Sequence, residues 1–149
     1  GWTTLIFGIL LYISDKFEIQ KEINSNFTLK SALFVGFLQI LSLIPGVSRS
    51  GITITGARIL KFKRYDAAKI SFMLSIPTLA AVSLFGLNNL IKTEDFNFSF
   101  LIIASIILSF LFSFITIKYF LIYFKTFSLN IFVIYRIILG ISLLFLAYL

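Results

Sequence analysis

Long apolar runs separated by short polar stretches set the pattern of this chain. Residues 1–13 are apolar, and residues 14–30 are polar and mixed in sign, with Lys16, Lys21 and Lys30 against Asp15, Glu18 and Glu22. Residues 31–60 are apolar again but carry a polar run in their middle. A basic stretch follows at 61–69, where Lys61, Lys63, Arg64 and Lys69 face one acid, Asp66. Residues 70–91 are apolar around Pro77, residues 92–97 hold Glu94 and Asp95, and residues 98–117 carry no charge at all. A second basic hinge, 118–126, precedes a last apolar run, 127–149, with Arg136 inside it. About 20 apolar residues cross a bilayer core as a helix. The pattern therefore predicts spanning helices at 70–91, 98–117 and 127–149. Residues 1–13 are too few to span, and read as the remnant of a truncated helix. The chain is expected to be the C-terminal part of a longer protein, with its 149 residues forming one transmembrane domain.

The segment 31–60 needs another geometry. Its arms, 31–44 and 49–60, reach only about 21 and 18 Å at 1.5 Å per residue, against a core of about 30 Å. They form either one kinked span or a re-entrant hairpin that enters and leaves on one face, which is tolerated where backbone is buried in protein or lines a cavity. The hairpin is favoured, because it brings the lysines of 14–30 to the same side as the basic stretch 61–69. Lysine and arginine are retained inside, so 61–69 and 118–126 are expected in the cytoplasm, and 92–97 and the C-terminus outside.

Composition narrows the classes further. The chain is 59% hydrophobic and only 13% charged, where a soluble domain carries about 25% charge. With no cysteine there is no disulfide, and with no histidine the commonest general base and metal ligand is missing. The net charge of +7 sits in short connections between apolar runs, which is a topology signal and not a nucleic-acid face.

The chemistry concentrates in Ile44-Pro45-Gly46-Val47-Ser48-Arg49-Ser50-Gly51-Ile52-Thr53. Pro45 and Gly46 break a helix, and hydroxyls with free backbone N–H groups follow the break. A helix N-terminus of that kind binds anions, and an arginine adds a planar, permanently charged fork. Ser48 is placed to cap the new helix, Arg49 and Thr53 share a face, and Gly46 and Gly51 leave room for a ligand to approach the backbone. With Ser50 these residues form a set of donors with no carboxylate nearby in sequence, so the expected ligand is phosphate or diphosphate. Gln39 is a candidate for lining the same cavity, or for an interhelical hydrogen bond. Arg136 is read as structural, by snorkelling or by pairing with another helix, and Arg58 as a cytoplasmic anchor. Ser71, Ser75 and Ser83 read as helix-packing residues. The acids Asp15, Glu18, Glu22, Asp66, Glu94 and Asp95 all fall in expected loops.

Gln39 followed by the run from Leu43 to Thr53 resembles the second signature of the undecaprenyl-diphosphate phosphatases, the bacterial inner-membrane family linked to bacitracin resistance. The likeness continues through Arg64-Tyr65, Ala67-Ala68, Ser71-Phe72 and Leu74 to Pro77, then Ile117-Lys118 and Ile134-Tyr135-Arg136. The resemblance implies a hydrolase that removes the terminal phosphate of a polyprenyl diphosphate, giving the monophosphate lipid carrier for peptidoglycan synthesis. It implies an all-α polytopic fold of two inverted repeats, each with a re-entrant pair, of which this chain would be one half, and a divalent cation, magnesium or calcium. The family's arginine maps onto Arg49, and its signature serine and threonine onto Ser48 and Thr53. The family's other signature, with acids and a histidine, has no counterpart here. The catalytic acid–base or nucleophile and the metal ligands would then belong to a missing N-terminal repeat. Lys61 stands where the family often has glycine, which bears on the helix exit. A lipid-phosphate transporter or flippase using the same broken helix is the alternative.

Overall fold

In a computed structural model, described for residues 1–18, 21–92 and 100–148, the chain is an all-α membrane protein. Its helices are α1 (Trp2–Asp15), a single turn α2 (Ile23–Asn26), α3 (Leu29–Gln39), α4 (Arg49–Ile59), α5 (Arg64–Lys92), α6 (Phe100–Thr126) and α7 (Asn130–Tyr148). A 3-10 turn, Ile40–Leu43, extends α3. α5, α6 and α7 are long and apolar enough to cross a membrane. Their large side chains face outward, Phe110, Phe112 and Phe114 among them, as a lipid-facing surface requires.

α3 and α4 are the expected broken pair. Thr28 caps α3 by accepting from Ser31 N at 3.3 Å, and Ser48 caps α4 by accepting from Gly51 N at 3.3 Å. Val35 and Leu38 of α3 pack over Gly56 of α4, so the two arms run antiparallel. Their outer ends also meet: Lys21 N donates to Lys61 O at 3.1 Å and Lys63 N to Lys21 O at 3.2 Å. The segment is a hairpin, not one kinked span. The exposed neighbours Glu22 and Lys63 form an ion pair at this base, and that hydrogen bond lowers the Glu22 carboxyl below its usual range.

α4 is the central element, packed against α1, α3 and α5. Small residues make this possible. Ala57 of α4 and Ala67 and Ala68 of α5 are fully buried, which lets backbones approach closely. α4 leaves through a Schellman exit, with Phe62 N bonded to Ala57 O and Lys61 N to Arg58 O. Lys61 takes the left-handed position at φ 70°, which is where a glycine would be unstrained.

Three expectations are corrected. The basic stretch 61–69 is not all loop: α5 starts at Arg64, with Asp66 in its first turn accepting from Ile23 N at 3.2 Å. The hinge 118–126 is helical to Thr126, and the turn into α7 is confined to 127–129. α6, at about 40 Å, exceeds the bilayer core, so its charges sit on helix ends and not in a loop. Asp15 and Asp66 are buried and helical, not loop residues. The segment 93–97, with Glu94 and Asp95, lies outside the described residues.

Arg58 is no surface anchor. It is 0% exposed. Its guanidinium donates to Phe62 O (2.7 Å), Asp15 O (2.7 Å) and Phe17 O (3.0 Å) and lies 3.5 Å from the Asp15 carboxylate. That carboxylate also takes a two-pronged bond from Arg64, at 2.7 and 3.0 Å, and accepts from Leu129 N at 3.4 Å. One buried acid thus joins the ends of α1, α4 and α5 and the start of α7. Lys125 of α6 sits over the Tyr65 ring at 5.1 Å, so both basic stretches gather at this end of the molecule. The hairpin tip lies at the other end of α1, where Thr3 Oγ1 donates to Pro45 O at 2.8 Å. Twelve residues of helix separate Thr3 from Asp15, a rise of about 18 Å.

Candidate functional site

The first turn of α4 forms at the hairpin tip because the chain cannot continue α3 through Pro45. Gly46 adopts φ +91°, and a β-carbon there would lie 2.3 Å from Thr3 Oγ1. The space above Gly46 therefore takes α1. Ser48 restarts the helix, and its Oγ lies 3.2 Å from Ser50 Oγ. The first N–H groups of α4 have no intrahelical acceptor, and Ser50 beside them is exposed.

Arg49 and Thr53 both face α5. The Arg49 Nη1 donates to Thr78 Oγ1 at 3.1 Å. Thr78 in turn bonds Leu74 O and Ser75 O, one residue past the soft interruption at Pro77. This contact fixes one corner of the guanidinium and leaves its other donors for a ligand. Thr53 is 1% exposed. Its hydroxyl reaches Arg49 O at 3.0 Å, Ser50 O at 3.1 Å and Ser71 Oγ at 2.6 Å. With its proton directed at those carbonyls, Ser71 is the donor between the two hydroxyls. Ser71 is accordingly a packing residue that closes the α4–α5 seam, Ser75 bonds back to Phe72 O, and Ser83 is exposed. The Gln39 amide oxygen is buried with no partner among the described residues.

Gly51 makes room for a protein group. A β-carbon on it would lie 2.5 Å from Arg136 Nη2. Arg136 is 9% exposed, on α7, and lines a cavity of about 200 Å³ together with Ser48, Ser50, Gly51, Phe120 and Phe132. Sequence reasoning leaves Arg136 apart from this turn. Only its position inside an apolar run marks it as unusual, and nothing local links it to residues 85 positions earlier.

The site is made of donors: hydroxyls, N–H groups and arginines. It suits an oxyanion and does not fit a divalent cation. Among the described residues no three His, Cys, Asp or Glu come together, and the buried acids are engaged elsewhere, Asp15 by Arg58 and Arg64 and Asp66 by Ile23 N.

The fold and this turn define a class: a multi-pass α-helical membrane protein whose central broken helix presents a terminus rich in hydrogen-bond donors. The chain belongs to the BacA family, since the family model for bacitracin resistance protein BacA matches residues 1–142. It is 54% identical to the undecaprenyl-diphosphatase of Pelagibacter ubique, over 99% of this chain and 57% of that protein. It is 46% identical to the undecaprenyl-diphosphatase of Chromohalobacter salexigens, over 95% of this chain and 54% of that protein. The undecaprenyl-diphosphatase of Elusimicrobium minutum is 41% identical, over 94% of this chain and 52% of its own length. The chain thus spans about half the length of the curated relatives it matches.

Proposed function

We propose that the complete protein hydrolyses undecaprenyl diphosphate to undecaprenyl phosphate and phosphate, and that this chain supplies the phosphate-holding half of the site. The observation that carries this reading is the donor-only first turn of α4, with Arg49 braced by Thr78, in a chain whose relatives are named for that reaction. Arg49 binds the diphosphate and neutralises charge developing on the transferred phosphoryl group. Positioning and charge stabilisation of that kind supply most of the catalysis in phosphoryl transfer. Ser48, Ser50 and the first N–H groups of α4 complete the cradle, with Gly51 giving room to the Arg136 guanidinium. Thr53 acts from behind, holding the first turn in shape, and Gln39 lines the approach. The acid–base residues and the carboxylates for a divalent cation come from the repeat that precedes this chain. The test is phosphate release from farnesyl or undecaprenyl diphosphate in detergent. The complete protein is expected to turn over and residues 1–149 alone to show no measurable release. Turnover by the isolated chain comparable to the complete protein overturns the division of labour, and none by either overturns the reaction.

On the same reading the protein sits in the bacterial inner membrane, with the basic ends at 61–69 and 118–126 cytoplasmic and 92–97 and the C-terminus outside. Both basic stretches gather at one end of the bundle, as that orientation requires. The hairpin tip, about 18 Å from that end, then lies near the middle of the core. Single cysteines at Lys63 and Glu94 test it cleanly in a chain without cysteine. In intact cells a membrane-impermeant thiol reagent is expected to label position 94 and spare position 63. The reverse pattern inverts the topology.

A further inference from the structure

Two buried arginines lie within this bundle, and their surroundings differ. Arg58 donates to three backbone carbonyls and lies 3.5 Å from the Asp15 carboxylate, with only its Nε making no hydrogen bond. Arg136 has none of this. Its Nη1 is buried without an acceptor, and among the described residues no carbonyl or carboxylate bonds any of its nitrogens. A guanidinium carries five donors and no acceptor, and leaving such a charge unpaired away from water is costly. Two glycines clear its path. At Gly8 of α1 a β-carbon would press on the Arg136 stem at 3.3 Å, and at Gly51 one would strike the guanidinium itself at 2.5 Å. The side chain is thereby led to the N-terminal end of α4, where the helix dipole is positive. A cation there is repelled, unless an anion lies between the two. The cavity that Arg136 lines is also walled by Phe120, Phe124 and Phe132.

We propose that Arg136 is a second oxyanion-binding residue, holding a phosphoryl oxygen against the first turn of α4 while Arg49 acts from the α5 side. This rests on the diphosphate reading above and deepens it, because two arginines on different sides of one helix terminus suit the two phosphoryl groups of a diphosphate. Gly51 is then required because its missing side chain is the space the guanidinium occupies.

The complete protein in detergent is titrated calorimetrically with inorganic phosphate, inorganic pyrophosphate and farnesyl diphosphate, and ligand-induced shifts of the thermal midpoint are read in parallel. Arg136→Gln is expected to weaken pyrophosphate and farnesyl diphosphate on the order of ten- to a hundredfold, the range for a hydrogen bond to a charged group, and to shrink the ligand-induced midpoint shift. Loss on farnesyl diphosphate alone assigns Arg136 to the lipid-borne phosphoryl group, and loss on all three probes to a phosphoryl group in either form. Gly51→Ala keeps the charge but displaces it. It is expected to weaken binding similarly in the native background and to add little beside Arg136→Gln. It also carries the test if Arg136→Gln fails to fold. Unchanged binding in both variants, with Arg49→Ala weakened, overturns this inference and leaves the site reading standing. Unchanged binding in all three variants overturns both.

Discussion

Replacing Arg49 by lysine in the complete protein is expected to cost nearly as much activity as replacing it by alanine. One guanidinium nitrogen is already committed to Thr78 at 3.1 Å, and that hydroxyl is locked by two carbonyls of α5. The remaining edge presents parallel donors in a fixed plane. Lysine brings a point charge on a flexible stem and cannot hold Thr78 and grip two oxygens together. By analogy with a lost oxyanion donor, each substitution should raise the barrier by roughly 2.7–4 kcal/mol, about 10²–10³ in rate. The measurement is kcat and KM for both variants at matched expression. If Arg49→Lys keeps most of the activity, the residue works as a point charge. If Arg49→Ala does so too, the chemistry lies elsewhere in the protein.

The largest effect on stability is expected at Asp15. Asp15→Asn preserves shape but removes the charge that faces Arg58, which is 0% exposed, and ends the two-pronged bond from Arg64. Removing one partner of a buried pair costs roughly 3–5 kcal/mol, because the remaining charge stays buried. The carbonyls that still accept from Arg58 place the expectation at the lower end of that range. The Arg64 side chain is 31% exposed and turns to solvent when released, so Arg64→Met should cost less than Asp15→Asn. Denaturant titration of the complete protein in detergent, followed by helix content, reads both. Equal stability of Asp15→Asn and the native protein means that the carbonyls alone hold Arg58 and the carboxylate is dispensable.

Much of the architecture is legible in the residues. The spans at α5, α6 and α7 follow from long apolar runs, and the break at Pro45 and Gly46 follows from their backbone chemistry. The hairpin follows from arm length, since neither arm crosses a bilayer. The departure of Lys61 from glycine points to the helix exit, where the structure puts it at positive φ. The misreadings of the buried charges share one cause. Charge reads as surface or loop, so Asp15 and Arg58 are assigned outward. A charge satisfied by another charge leaves no trace in local composition.

The sequence by itself therefore determined the class: a helical membrane chain with a donor-rich break at Ser48 to Thr53. Those are local properties, set by hydropathy over about 20 residues and by the backbone limits of proline and glycine. Only the tertiary structure decided which charges meet. It brought Asp15 to Arg58, Arg64 and Leu129, Arg49 to Thr78, and Arg136 to Gly51. Each of these pairs joins residues of different elements, and which faces meet depends on how the small residues of α1, α4 and α5 let those helices approach.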